Sequence, residues 1–388
     1  MRFLHTADWH LGKLLHGVHL TNDQRGLLDQ LCDLVDAHAP DAVLMAGDVY
    51  DRSVPPADAV QVLDDTLSRL VVDLDTPVVL IAGNHDSPDR LEFGARILRD
   101  RGLHVFSALQ PEPGRVTFRD DHGPVHVVGL PYAEPPTARH VFDDKSIRTH
   151  DDVLKAQANA AQAHLPDGDR SVAVAHVFAQ GGTLADSERT LAVGGAETVH
   201  TARFEGFDYV ALGHLHRRQT VGDAGHIRYA GSLMKYSFNE VEHSKSACLV
   251  EMDAAGDVSV ERLPLVPERD LRTITCAFAD ITSDNDALDD NGNPNDYLWV
   301  TLEDDGPVRD AMSRIRDVYP NALHVEQPYR QEEASALESL AQEVKSGTLD
   351  DVFAQFFTHV LDRDALTDAQ QSVLTDALDR LRHNERNA

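Results

Sequence analysis

The sequence has few cysteines, no long hydrophobic run and few basic residues. Its three cysteines, Cys32, Cys248 and Cys276, are scattered and odd in number, which excludes a disulfide framework and a cysteine-type zinc site. No apolar stretch approaches the roughly 20 residues that cross a bilayer. The chain reaches polar His5 after only two apolar residues, so no signal peptide is expected. Together these absences predict a protein of the reducing cytoplasm.

The shortage of basic residues is the most unusual feature of the composition. The 388 residues include 35 Lys and Arg against 65 Asp and Glu, which gives a formal net charge of -30. Non-specific DNA binding needs cations that displace counterions, so this chain alone is expected to bind DNA weakly. Between Asp280 and Asp310 lie ten acidic residues and one Arg, and this stretch is not expected to face a phosphate backbone. A surface adapted to solubility or to salt is the simplest explanation.

In the first part of the chain, short runs of apolar residues alternate with segments that have helical spacing. The runs Phe3–Thr6, Ala42–Ala46 and Val78–Ala82 are typical of strands, and the 3/4 spacing of apolar residues predicts helices from about Asn22 to His38 and Ala57 to Val72. This order is typical of an α/β layered domain. Three later runs have the same character: Val125–Leu130, Val172–Ala175 and Val210–Leu212.

The pattern changes after about Pro264. Strands are predicted at Leu271–Ala277, Tyr297–Leu302 and Ala322–Glu326, and a helix at Val308–Val318. The segment Ser283–Asp296 is rich in Asn, Asp, Gly and Pro and is predicted to be a loop. These elements predict a small α+β module. The expected domains are therefore 1–265, 266–330 and a helical segment 331–388.

The last segment is predicted to form three short amphipathic helices. Leu337, Leu340 and Val344 mark the first, and Val352–Leu361 gives the second a broad apolar face. Thr367 and Gln370 have the spacing of a capping box at the start of the third. These helices pack on their own protein or dock on a partner, and the width of the second apolar face favours a partner.

Five short polar clusters each follow an apolar run. They are Asp8-Trp9-His10, Gly47-Asp48, Gly83-Asn84-His85-Asp86, His176 and Gly213-His214-Leu215-His216. Because functional groups in open α/β sheets collect at the carboxyl ends of strands, these clusters can converge in space. Side chains at i and i+2 fall on one side of an extended backbone, so Asp8 and His10 can reach one ion. The mixture of Asp, Asn and His suits a two-metal hydrolytic centre at the edge of a sheet, with attack by a metal-activated water, most often on phosphorus.

Each cluster alone has an ordinary structural explanation. Gly-Asn-His-Asp can be a turn with Asn in the left-handed conformation, and His176 alone can be a core histidine. The glycines Gly47, Gly83 and Gly213, each beside a candidate ligand, are expected to allow tight backbone turns. The coincidence of five clusters after five apolar runs favours the metal centre over five separate accidents.

The clusters resemble the motifs of the calcineurin-like metallophosphoesterases. More narrowly, the opening segment His5–Gly12 and the segment Gly231–Glu240 are similar to those of SbcD/Mre11-like nuclease subunits, although the family usually has Pro where Leu233 stands. The motifs cover residues 1 to about 265, and the remainder is similar in order and size only. The resemblance implies an α/β, layered metallophosphoesterase sandwich with a small α+β capping domain and a C-terminal helical tail.

The resemblance also implies a role for each candidate residue. Seven residues would hold metal: Asp8, His10 and His216 one ion, Asn84, His176 and His214 the other, and Asp48 both. Carboxylate, amide oxygen and imidazole suit two divalent ions, Mn²⁺ first, with Mg²⁺ or Fe²⁺ as alternatives. His85 is expected to contact the scissile phosphate and to assist the leaving oxygen. Asp51 either orients His85 by a hydrogen bond or is simply a carboxylate at a helix N-terminus.

Substrate and partner contacts are predicted on the same basis. Arg217, Arg218 and Lys235 are candidates for gripping DNA phosphates, with ordinary solvated charges as the alternative. An SbcC/Rad50-like ATPase is the implied partner and would dock on the C-terminal helices. The family is usually a homodimer through helices of the catalytic domain. Five residues could supply that face or belong to the core: Leu63, Leu67, Leu70, Ile97 and Leu98.

The predicted function is a two-metal-dependent DNA nuclease of a repair complex. It would degrade duplex ends in the 3'-5' direction and cut single strands or hairpins. The acidic composition favours an alternative, a phosphodiesterase or phosphatase of small substrates that uses the same dinuclear centre. A purely structural scaffold for an ATPase is a third interpretation, and the complete set of ligands opposes it.

Overall fold

The computed structural model describes most of the chain, namely residues 1–184, 188, 198–222, 225–282, 292–328, 367–370, 372–373 and 375. The chain divides into two compact units: Met1–Arg272 with Asn295–Tyr297, and Thr273–Pro294 with Leu298–Ala388. The predicted boundaries at 265 and 330 stay predictions. The tail helices predicted at Leu337–Val344 and Val352–Leu361 lie outside the described residues. The capping box is present, with Gln370 Oε1 accepting from Thr367 N at 2.9 Å.

The first unit contains sixteen of the strands in the described ranges. In chain order they are β1 (Arg2–Thr6), β2 (Leu14–Leu15), β3 (Val18–His19), β4 (Ala42–Ala46), β5 (Val78–Ile81), β6 (Leu103–Phe106), β7 (Arg115–Asp120), β8 (Gly123–Leu130), β9 (Arg170–His176), β10 (Phe178–Ala179), β11 (Thr198–Val199), β12 (Tyr209–Gly213), β13 (Gln219–Val221), β14 (Ile227–Tyr229), β15 (Ser246–Met252) and β16 (Val258–Pro264). The α-helices of this unit are α1 (Thr21–His38), α2 (Ala57–Ser68), α3 (Pro88–Leu91), α4 (Ala95–Leu98), α5 (Pro135–Val141) and α6 (His150–Gln162). A π-helical turn, Arg69–Asp73, extends α2.

Two six-stranded sheets form the body of this unit. The strand order is β16-β15-β1-β4-β5-β6 in one sheet and β13-β14-β12-β9-β8-β7 in the other. Strands β1, β4, β5 and β6 run parallel, as do β8, β9, β12 and β14, whereas antiparallel strands lie toward the sheet margins. Parallel strands covered on both faces read as continuous apolar runs, which explains the sequence pattern. The predicted layered α/β fold is confirmed.

The hydrophobic core joins the inner faces of the two sheets. Phe3, Leu44 and Ile81 from the first sheet belong to the same buried cluster as Val174 and Tyr209 from the second. On the outer face of the second sheet, α6 packs through residues that include Leu154 and Ala158. The core between the sheets and the helix packed on the outer face together fix the positions of the strands. They therefore also fix the positions at which the strands end.

The second unit is a small α+β module. Its three-stranded sheet has the order β17 (Leu271–Cys276), β18 (Tyr297–Leu302) and β19 (Ala322–Glu326), with helices α7 (Phe278–Ile281) and α8 (Ala311–Arg316). The first residues of β17 and β18, namely Leu271, Arg272 and Tyr297, are counted with the first unit. Leu298, Val300 and Ile315 are fully buried in its own core. Residues 292–296 of the predicted loop form neither helix nor strand, and residues 283–291 lie outside the described ranges. In the part of the chain that the structure covers, no helix is long and apolar enough to span a membrane.

Two glycine-to-alanine substitutions are expected to change stability in opposite directions. A Cβ at Gly213 would overlap the carbonyl oxygen of Ala46 in the facing sheet, so Gly213→Ala should destabilise the protein by about 1–3 kcal/mol. A Cβ at Gly26, on the exposed side of α1, meets nothing within 4 Å, and Gly26→Ala should stabilise it by roughly 0.5–1 kcal/mol. Urea unfolding midpoints of the two variants measure this difference. Equal midpoints would contradict the close approach of the two sheets at Gly213.

Candidate metal centre

The candidate ligands lie where five strands from two sheets end. Asp8 follows β1, Asp48 follows β4 and Asn84 follows β5, all in the first sheet, while His176 ends β9 and His214 follows β12 in the second. His176 Nδ1 lies 2.9 Å from the carbonyl oxygen of Ala46, so the two sheets meet at this point. The site therefore occupies the junction of two sheets, whereas the sequence had indicated the edge of one.

One group of ligands is built from the first and last clusters. Side-chain ligand atoms of Asp8, His10 and His216 all lie within 4.8 Å of one another, and the three residues are buried. The Nε2 atoms of His10 and His216 are 3.1 Å apart. Two imidazole nitrogens and a carboxylate that converge in a buried space fit a divalent cation.

A second group surrounds Asn84. Its Oδ1 lies 2.9 Å from His176 Nε2 and 3.0 Å from His214 Nδ1. Asp48 lies between the two groups, because its Oδ2 is 3.4 Å from His176 Nε2 and 3.6 Å from His10 Nε2. All seven predicted ligands are thus brought together, and one carboxylate faces both sets.

The backbone at this site is held in unusual conformations. Asp8, His10, Asp48 and His214 all have positive φ, at 52°, 44°, 51° and 105°. Non-glycine residues adopt this region rarely and at a cost, and such residues cluster at functional sites. Hydrogen bonds hold two of them: the Asp8 carboxylate accepts from His214 N at 2.9 Å.

Glycines allow this geometry mainly by close approach. Of Gly47, Gly83 and Gly213, only Gly47 has a positive φ, at 84°. A side chain at Gly83 would overlap the Asp48 carboxylate, and one at Gly47 would collide with His176. The tight turn predicted for all three holds at Gly47, whereas Gly83 makes room for the Asp48 carboxylate and Gly213 for the carbonyl oxygen of Ala46.

Burial dominates the electrostatics of the cluster. It raises the pKa of Asp8 well above its usual range and lowers that of His214 to about 3. Burial opposes ionisation of both Asp48 and His176, but their mutual attraction outweighs it, so the pKa of Asp48 lies well below its usual range and that of His176 is about 9. The Asp48 carboxylate and the His176 imidazolium therefore form a charged pair, and a divalent ion that binds here would have to displace the His176 proton.

His85 lies beside this cluster, and the main chain fixes it. Its Nδ1 is 2.8 Å from the carbonyl oxygen of Asp51, and its backbone N donates to Asp48 Oδ1 at 2.9 Å. The Asp51 carboxylate instead pairs with Lys13 at 2.9 Å. The hydrogen bond predicted between Asp51 and His85 exists, but the backbone of Asp51 makes it.

Asp86 is a positioning residue that sequence reasoning missed. Its carboxylate accepts from Gly83 N at 2.9 Å, Tyr50 N at 3.0 Å and Val49 N at 3.1 Å. It thereby ties the loop after β4 to the loop after β5, which carry Asp48 and Asn84. Burial raises the pKa of Asp86 to about 6. In the sequence, the signal for this role of Asp86 was its position directly after His85.

A buried ion pair behind His216 was also missed. Glu240 is fully buried, and its Oε1 lies 3.4 Å from His216 Nδ1 while its Oε2 pairs with Lys245 Nζ at 2.5 Å. Lys245 also donates to the His216 carbonyl oxygen at 2.9 Å. A carboxylate behind a ligating histidine fixes the orientation of its ring. The sequence signal for this ion pair was the occurrence of Glu, His and Lys close together in residues 240–245, at the end of the Gly231–Glu240 segment.

Glu240→Gln is expected to weaken metal binding by about 10–100-fold, because His216 loses its carboxylate partner. Since this change leaves Lys245 buried without its counter-charge, the double variant Glu240→Gln/Lys245→Met should recover folding but not affinity. Isothermal titration with Mn²⁺ measures the change, and Glu242→Gln, an exposed neighbour, is the control. Full affinity in the double variant would rule out this role for Glu240.

The predicted phosphate contacts are close to this region. Arg217 and Arg218 follow His216 directly and are exposed. Lys235 is largely buried and pairs with Asp270 at 2.8 Å. Arg217 is therefore available to a ligand, whereas Arg218 also makes a hydrogen bond with the Cys248 side chain and Lys235 already has an anionic partner.

Known proteins match this chain over both of its parts. The calcineurin-like phosphoesterase family matches residues 1–218, which include every predicted metal ligand. The chain belongs to the calcineurin-like phosphoesterase family. It is thus a metal-dependent phosphodiesterase, as predicted. A second family, described as the type 5 capsule protein repressor C-terminal domain, matches residues 267–376.

Individual relatives agree with this family. A nuclease of Staphylococcus epidermidis, named as the SbcD component of SbcCD, is 32% identical over 323 residues, 83% of this chain and 84% of the relative. This match confirms the resemblance to the SbcD subfamily. A dimetal phosphatase from Danio rerio has a TM-score of 0.41 at 11% identity and covers 69% of this chain and 97% of its own. A Thermus thermophilus protein has a TM-score of 0.39 at 14% identity over 67% and 98%. Family membership rests on the sequence matches and not on these distant structures.

Proposed function

We propose that this phosphoesterase is a two-metal-dependent DNA nuclease, the nuclease component of a cytoplasmic SbcCD-type repair complex. The observation that carries the proposal is the convergence of six candidate ligands around Asp48, the seventh, with His85 beside them. The relative that is named as a nuclease supports DNA as the substrate.

The proposed roles are those that the resemblance implies, and the geometry of the cluster supports them. Asp8, His10 and His216 would hold one ion, and Asn84, His176 and His214 the other. Two divalent ions held by these residues, Mn²⁺ in this proposal, would supply a water of lowered pKa and positive charge for the attacking and leaving oxygens. The Asp48 carboxylate serves both sites through Oδ2 while its Oδ1 fixes the backbone of His85.

His85 is the proposed catalytic acid. Its Nδ1 donates to the Asp51 carbonyl oxygen, so Nε2 carries a proton only in the imidazolium form. In that form the ring donates to the leaving oxygen and offsets the charge of the phosphate. The Asp51 backbone acts as the positioning group in this proposal.

One experiment distinguishes a DNA nuclease from a phosphodiesterase that acts only on small substrates. Purified protein with Mn²⁺ should shorten a labelled DNA duplex and cut a single-stranded oligonucleotide, with end labels giving the 3'-5' direction. Activity confined to bis(p-nitrophenyl) phosphate would reject the nuclease and favour the small-substrate phosphodiesterase.

Residues 331–388 are the proposed docking segment for an SbcC/Rad50-like ATPase. The match of the C-terminal domain over residues 267–376 and the name of the relative support this partner. Deletion of residues 332–388 should abolish co-purification with the ATPase and leave the metal content unchanged. Retained co-purification would contradict the docking proposal.

A homodimer is proposed through the region of α4. Leu63 and Leu70 are buried, so they belong to the core, whereas Ile97 is 81% exposed and Leu98 42% exposed. The neighbouring Phe93 is 87% exposed. Exposed apolar side chains close together in the sequence support an interface here. Sedimentation equilibrium, compared with an Ile97→Glu variant, measures the oligomeric state.

A further inference from the structure

Two adjoining cavities lie close to His216, one of the candidate metal ligands. The smaller has a volume of about 200 Å³, and its wall includes His216, Arg217, Arg218 and Gly231. A ligand histidine therefore forms one end of a cavity whose next wall residues are two arginines. Gly231 has a φ of 82°, and a Cβ there would lie 2.8 Å from Arg218 N, so the arginine backbone is packed closely against this turn.

The larger cavity continues from the smaller one. Its volume is about 460 Å³, and it shares with the smaller cavity the segment Glu242–Lys245 and the side chain of Arg262. Lys235 and Asp270 lie on its far wall. The two cavities thus form a groove that leads from His216, past Arg262, to Lys235.

The charge of the groove contrasts with the rest of the chain. The formal net charge is -30, yet Arg217, Arg218 and Arg262 are exposed together on its wall. Over the described residues, none of these three guanidinium groups is in a salt bridge, whereas Lys235 pairs with Asp270. Glu242 is the carboxylate on the shared wall. Guanidinium groups that are not neutralised by a carboxylate bind phosphate well because they donate in a fork.

We propose that this groove, lined by Arg217, Arg218, Arg262 and the segment Glu242–Lys245, holds the backbone phosphates of a single nucleic-acid strand next to the scissile phosphate. The inference rests on the proposed nuclease function and adds the path of the substrate. Sites for small ligands have volumes of about 300–1,000 Å³, so the groove admits a few nucleotides of one strand rather than a duplex. Contacts to phosphate alone position a strand without reading its sequence.

Replacement of Arg262 should change how strongly the binding of a single strand depends on salt concentration. Full-length protein in EDTA, which prevents cleavage, is titrated with a fluorescent oligothymidylate of about 12 nucleotides, a length within known single-strand site sizes. In Arg262→Gln, the slope of log affinity against log salt should fall by about 0.7, the value for one lost phosphate contact on a single strand. Arg119→Gln, an exposed arginine on the edge strand β7, makes the same charge change and should keep the parent slope. Equal slopes in the two variants would overturn the proposal.

A second measurement does not depend on removing an arginine. Ser244 is exposed and lines both cavities, so the thiol of Ser244→Cys should react rapidly with an alkylating reagent. The native thiols are buried, and burial raises the pKa of Cys32 and Cys276 to about 11. Oligothymidylate should slow the reaction several-fold. An unchanged rate, or equal protection by thymidine monophosphate at the same nucleotide concentration, would overturn the strand path.

The two proposals fail in distinguishable ways. Protein that binds the strand in this groove but leaves DNA uncut rejects the nuclease and retains the groove as a strand site. Protein that cuts DNA, with the parent salt slope in Arg262→Gln and no protection at Ser244→Cys, retains the nuclease and rejects the groove.

Discussion

His85→Ala is expected to lower the rate of phosphodiester cleavage by about 10²–10⁴-fold, the usual contribution of a positioned acid, while both metal ions remain bound. The ring lies beside the ligands but is anchored by the Asp51 carbonyl oxygen and not by a ligand side chain. Its removal should therefore spare the seven ligand side chains. Turnover of bis(p-nitrophenyl) phosphate gives the rate, and elemental analysis gives the metal content.

The same experiment decides between two roles for His85. Ligand atoms of His10, Asp51 and His85 also lie within 4.8 Å of one another and could hold an ion. Loss of metal from His85→Ala would show that this third group is the true site. His104→Ala, a partly buried histidine on β6, is the matched control and should retain both activity and metal.

Asp48→Ala is expected to release both ions and to reduce activity by at least about 10³-fold, because several kcal/mol of metal-supplied stabilisation is lost. Asp48 Oδ2 faces His10 on one side and His176 on the other, so its removal takes a ligand from both groups. Its Oδ1 also holds the backbone of His85. Mn²⁺ titration calorimetry measures the number of ions bound per chain.

Asp51→Ala provides the matched control, since its carboxylate pairs with Lys13 and lies 3.8 Å from His10. This variant should retain two ions. If Asp48→Ala still bound two ions with near-parent affinity, the bridging role would be wrong. Loss of an ion from Asp51→Ala would instead place the Asp51 carboxylate among the ligands.

The sequence was most informative where chemistry and local structure coincide. Strands Ala42–Ala46 and Tyr297–Leu302 were predicted to the residue, because buried parallel and central strands are continuous apolar runs. Helix α6 was missed, since its Ala, Gln and Asn residues give a weak pattern. The β15–β16 hairpin was missed because the outer strand alternates between exposed and partly buried residues.

Contacts between distant residues could not be predicted in the same way. The ends of the predicted strands indicated where the ligands lie along the chain. They did not indicate that two separate sheets bring these ligands together. The choice between the carboxylate and the carbonyl oxygen of Asp51 depends on a few ångströms of backbone position. Likewise, the role of the Glu240–Lys245 pair in orienting His216 follows only from the position of His216 beside it in the fold.

The spread of the ligands over two sheets has a consequence for how the enzyme is made. His176, His214 and His216 come from the second sheet or the loop after it, far along the chain from Asp8, His10, Asp48 and Asn84. During synthesis, a growing polypeptide that has emerged only as far as β8 carries no more than four of the seven ligands. The two proposed metal sites would be complete only after His216 has left the ribosome and the second sheet has folded onto the first. An unfinished chain that ends at β8 is therefore expected to hydrolyse no phosphodiester.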